Sequence, residues 1–177
     1  MSSSRFSLLV VAALIAVGGV IYASADVDVG GDADTPPRAR SAESVQAGAE
    51  DPAVALARRY ALAARDWTAR TYERSRARQR RLAGGGYREA LARTPTPPGY
   101  VARLRKQRAR SVARVVATTR EPSARRGVAR VLVQLREQTK TRQQALERTV
   151  VYEVLVRPID GQRRVVGWTI LPGIDGL

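Results

Sequence analysis

The sequence predicts an α+β domain held behind an N-terminal transmembrane helix, on three observations. Residues 6–25, FSLLVVAALIAVGGVIYASA, run for twenty residues without a charge. Between residues 52 and 108 apolar side chains recur at helical spacing. After residue 110 the period drops to two, and four alternating runs follow, separated by turn residues. Helices followed by a meander imply helices packed on one face of a curved, cone-like, four-stranded antiparallel sheet.

The first run covers about 30 Å as a helix, the thickness of a bilayer's hydrocarbon core. Its length favours a permanent anchor. A signal peptide is the competing reading, because Ala23-Ser24-Ala25 has the small-x-small form of a cleavage site. Arg5 precedes the run, whereas Asp26, Asp28, Asp32 and Asp34 follow it. The expected topology is single-pass in the cell membrane, with the N-terminus cytoplasmic and the C-terminal domain extracytoplasmic.

Residues 26–51 are acidic, carry Gly30-Gly31 and Pro36-Pro37, and contain no aromatic residue. They read as a disordered linker. The folded unit is expected over residues 52–173, with 174–177 as a tail.

Asp51-Pro52 marks a helix start, Asp as cap and Pro at the first position. The helix is expected to continue to Leu82 and stop at Gly84-Gly85-Gly86. Leu56, Tyr60, Ala63 and Trp67 then form one buried stripe. Beyond Tyr72 come Arg74, Arg76, Arg78, Arg80 and Arg81, expected to extend past the core into solvent. Short helices follow over residues 87–93 and 100–108.

The strands are expected over residues 111–119, 128–139, 149–157 and 164–171. In the second, Ala129, Val131, Val133 and Leu135 share one face; in the third, Val150, Tyr152, Val154 and Val156 do. Glu121-Pro122-Ser123 and Pro158-Ile159-Asp160-Gly161 predict short antiparallel turns. Residues 139–148 form a longer polar loop that lets the two middle strands extend past the sheet body. The core anchors expected from this reading are Leu56, Tyr60, Trp67 and Trp168.

Composition narrows the chemistry. There is no Cys and no His among 177 residues. Disulfides and thiol chemistry are excluded, as are the commonest general base and metal ligand. Residues 1–51 carry a net charge of −4 and residues 52–177 a net +19, with only two Lys among 31 basic residues. This balance fits a well-solvated surface, or attraction to nucleic acid or anionic lipid. Asp66 beside Trp67 could serve as a base in an apolar cone; an ion pair with Arg70, four residues on, is the simpler reading. Glu137, Glu147 and Glu153 share strands with many Arg and predict cross-strand ion pairs. Gly84-Gly85-Gly86 follows a helix rather than a strand and breaks it, with no phosphate-loop spacing. No catalytic residue, cofactor or metal is expected.

The layout resembles the nuclear transport factor 2 (cystatin-like) superfamily. The resemblance is carried by Ala63 and Trp67 in an A-x-x-x-W pattern, Leu82, Gly161, Trp168, and Leu171-Pro172-Gly173, and it covers residues 51–173. It is similar in particular to exported bitopic members: Mce-associated membrane proteins of actinobacteria, and the TcpC and VirB-eighth-component proteins of conjugation machines. The resemblance implies a non-catalytic scaffold of an envelope-spanning secretion or lipid-transport complex. Its partners would be other membrane or envelope proteins, with a homo-oligomer as a further expectation. The usual pattern has a short sheet-edge strand and less Arg in the first helix; the five Arg at 74–81 depart from it. They are the candidate partner or phosphate contacts. The alternative function is a nucleic-acid or anionic-surface binding module using them.

Overall fold

A computed structural model describes residues 50–171. The expected transmembrane run, most of the acidic linker and Pro172-Gly173 lie outside the described residues. Among the described residues no helix is long and apolar enough to cross a membrane.

The order of elements is α1 (Pro52–Arg65), β1 (Trp67–Thr68), α2 (Tyr72–Leu82), α3 (Gly85–Arg93), α4 (Tyr100–Lys106), β2 (Arg110–Glu121), β3 (Ala129–Lys140), β4 (Ala145–Ile159) and β5 (Gln162–Ile170). The sheet is an antiparallel meander in chain order, β1-β2-β3-β4-β5. It therefore has five strands where the sequence predicted four.

The extra strand and a break in the first helix have one cause. Asp66 ends α1 in an extended conformation. Trp67 and Thr68 then pair with Ser111 and Arg110. The backbone N–H of Thr68 donates to Thr71 Oγ1 at 2.8 Å, and that of Thr71 donates to the Thr68 carbonyl at 3.0 Å. Threonine side chains that bond nearby backbone compete with the helix, and here they win. Trp67 thus leaves the helical stripe and joins Ala69, Tyr72, Tyr100, Leu104 and Ala109 in a second, smaller core.

The main core lies between α1 and the sheet. Ala53, Leu56, Ala57, Tyr60 and Ala61 meet Val131, Val133 and Leu135 of β3, Val150, Tyr152, Val154 and Val156 of β4, and Val165 of β5. The period-two face assignments for β3 and β4 hold residue by residue. Each fully buried Val or Leu contributes about 1.5–3 kcal/mol through apolar burial.

The turns differ more. Asp160 and Gly161 both adopt positive φ, 49° and 72°, and close the tight β4–β5 turn, as Asp-Gly favours. The β2–β3 connection spans residues 122–128, longer than the predicted turn. The β3–β4 arm is longer than expected and its loop shorter, because pairing continues to Lys140 and Ala145. Gly84 does not simply stop a helix. It precedes α3, its N–H bonds the Val165 carbonyl at 2.9 Å, and a Cβ there would lie 2.6 Å from that of Arg164. Only glycine permits this approach of the helices to β5.

Candidate interaction surface

Two groups of charged residues stand out, one buried between α1 and the sheet and one on α2. The inner one is built around Glu137 on β3, whose side chain is 1% exposed. Arg65, at the end of α1, grips it as a fork, Nε to Oε1 at 2.7 Å and Nη2 to Oε2 at 2.8 Å. Arg148, its partner across β4, donates to Oε2 from Nε at 3.1 Å and from Nη2 at 3.0 Å. The Tyr152 hydroxyl donates to Oε1 at 2.5 Å. Burial alone would raise the Glu137 pKa; the hydrogen bond and charge of Arg65, with Tyr152 and Arg148, outweigh it and hold the carboxyl below its ordinary value. Burial likewise opposes the charge on Arg65, and Glu137 reverses this and raises its pKa. Burial is the main cause that pushes the Tyr152 hydroxyl well up, so it stays protonated as a donor.

Aromatic rings fill the space beside this cluster. Trp168 stacks on Tyr152 with ring centroids 4.2 Å apart and meets Tyr60 edge-on at 5.3 Å. The hydroxyls of Tyr60 and Tyr87 bond at 2.7 Å. Trp168 is half-buried, whereas Leu56 and Tyr60 are buried. Trp67 stacks edge-on against Tyr72 at 5.3 Å in the second core.

The five arginines that the sequence singled out sit on α2, which does not run free of the core as expected. Tyr72, Ser75 and Gln79 are buried. Where α1 ends, the Ala63 carbonyl has no intrahelical partner; Ser75 Oγ donates to it, and Gln79 Nε2 does so at 3.3 Å. This anchoring divides the five arginines. Arg74, Arg78 and Arg81 are exposed, whereas Arg76 and Arg80 are half-buried. Arg76 Nη2 donates to the Thr94 carbonyl at 2.9 Å. Spacings of four and three put the exposed three on one face.

Asp66 is exposed and forms no ion pair with Arg70; its backbone N–H bonds the Leu62 carbonyl at 2.8 Å. The three glutamates expected to make cross-strand ion pairs do so, and the structure supplies the partners: Glu137 with Arg148, Glu147 with Arg136 at 2.5 Å, and Glu153 with Arg130 at 2.5 Å. The Arg65 contact to Glu137 was not legible, because 72 residues separate the two. A groove of 480 Å³ lies in the β2–β3 loop, bounded by Arg120, Arg125 and Arg126. All its walls come from one hairpin.

No protein-family model matches the sequence, and no curated protein matches it. Its fold is similar to that of several solved structures. The periplasmic domain of DotI aligns with a TM-score of 0.55 and 11% identity, over 74% of this chain and all of the other. Agrobacterium tumefaciens VirB8 aligns at 0.52 and 10%, over 70% and 90%. A TrwG component of a type IV secretion system from Bartonella birtlesii aligns at 0.52 and 12%, over 68% and 90%. At such identities the likeness is one of fold, and it bears on the VirB-type part of the resemblance.

Proposed function

We propose that the chain is a non-catalytic, membrane-anchored scaffold component of an envelope-spanning secretion complex of the conjugation type. The domain sits outside the cytoplasm, and residues 6–25 serve as the anchor. The observation that carries this reading is the shared fold, which spans all of a chain described as a periplasmic domain and 90% of one described as a secretion-system component. The cone interior supports it. Both oxygens of Glu137 are occupied by protein donors, and aromatic rings fill the adjoining space. A lipid-transport complex of the Mce type remains the finer alternative within the same scaffold class.

The exposed row Arg74, Arg78 and Arg81 is the surface assigned to envelope partners. The test is crosslinking and co-purification of the tagged full chain from its native membranes, with all three changed to Gln. Loss of co-purified envelope proteins is the expected result. In parallel, filter binding of DNA at two salt concentrations should show weak, salt-sensitive retention for both proteins. Tight DNA binding that only the wild type shows would replace the scaffold reading with nucleic-acid binding.

A further inference from the structure

β1 covers β2 only at Ser111 and Arg110. From residue 112 to 121, among the described residues, no strand lies on β2's free side. An open edge offers a row of backbone N–H and C=O groups to any extended chain. Such edges are commonly protected by charge and by bulges, and β2 has both, with Arg114 and a bulge at Val116. Two features go beyond protection. Val112 and Val116 are 39% and 58% exposed, two of the three large apolar side chains exposed among the described residues. Like charges also stand directly opposite each other on the face away from the helices, Arg114 beside Arg136 and Arg110 beside Lys140. Such pairs destabilise a sheet. Only Arg136 has a carboxylate partner, Glu147; Arg110, Arg114 and Lys140 are in no ion pair among the described residues.

Building on the scaffold reading, we infer that this edge receives an acidic, extended segment of another envelope protein, added beside β2 as a sixth strand. Carboxylates of the added strand lie by Arg114, with Arg136 behind it and Arg110 and Lys140 at the end of the row. Its apolar side chains lie by Val112 and Val116. Main-chain hydrogen bonds hold the segment, and alternate side chains select it. Charge argues for an acidic strand and against the folded domain of a second copy. A second copy would bring another domain of net charge +19 over residues 52–177 to a cationic edge, whereas an acidic strand relieves the like-charge pairs.

The test uses the full chain in detergent and a labelled peptide of about ten residues, matched to the open edge. It carries one Glu at its centre, Val two positions to either side of it, and Thr elsewhere. Fluorescence anisotropy should show binding that Arg114→Glu weakens about tenfold or more. A peptide with Lys in place of Glu should recover binding to that variant, which also shows that the variant is folded. A peptide with Pro at alternate positions should fail to bind. Equal binding of the Pro peptide would overturn strand addition, as would equal affinity of Arg114→Glu and wild type. Efficient disulfide dimerisation of Val116→Cys would overturn it in favour of a second copy. Absence of peptide binding, with envelope co-purification intact, overturns this site and leaves the scaffold reading standing. Peptide binding without any envelope co-purification does the reverse.

Discussion

Arg65 and Arg78 are the same residue on neighbouring helices, and the structure uses them in opposite ways. Arg65 is buried to 13% side-chain exposure, doubly bonded to Glu137, and lies 5.9 Å from the centre of the Tyr152 ring. Arg78 is exposed and in no ion pair among the described residues. The inner arginine joins α1 to the sheet. The outer one is available to something else. A basic composition therefore does not say which arginines hold the fold together and which stand in solvent; burial and partners do.

The contrast breaks most readily at its buried side. Glu137→Ala leaves Arg65 without its partner in the interior, and should cost about 3–5 kcal/mol in urea unfolding. A loss below about 1 kcal/mol would mean the cluster is not holding the two layers together. Trp67→Ala should cost a similar amount or slightly less, about 3 kcal/mol, because a buried Trp is truncated in the smaller core.

Acid sharpens the same comparison. The Glu137 pKa is lowered on folding, so its contribution is complete above the ordinary carboxylate value and is lost as pH falls through the lower folded value. Stability should drop as pH falls below about 4.5, and Glu137→Gln should flatten that part of the profile. An unchanged acid limb would assign the loss to other carboxylates. The smallest effect belongs to the surface row. Changing Arg74, Arg78 and Arg81 together to Gln should alter stability by no more than about 0.5 kcal/mol. A larger change in thermal or urea unfolding would show that these arginines serve the fold.

How much of this was legible depends on sequence distance. Val131, Val133 and Leu135 declare their face by alternation, and Asp51-Pro52 declares a helix start that Asp51 Oδ1 makes real by accepting from the Ala53 N–H at 2.8 Å. A cross-strand ion pair for Glu137 was readable because many Arg share its hairpin, but Arg148 as the partner was not, because residues 139–148 read as a loop and the pairing continues through them. The break at Asp66 was not, because a helical stripe through Leu56, Tyr60 and Ala63 continues on paper to Trp67. It is a pairing with Ser111, far along the chain, that draws Trp67 away. The Thr68 and Thr71 pair was the one local sign. The half-burial of Arg76 and Arg80 likewise depends on where α2 lies, which periodicity alone does not give.

Asp51 caps α1 and is also ion-paired with Arg120 near the end of β2. At its other end, α1 hands the chain to Trp67, which pairs with Ser111 at the start of β2. Helix and strand therefore run side by side in opposite directions, fastened at both ends. A pull arriving along the chain before residue 50 is delivered to the first turn of α1 and, through Arg120, to β2. It acts along their shared length as shear, and many contacts resist it together instead of parting one after another. A domain entered in this way meets such a pull as one unit, helix and strand together.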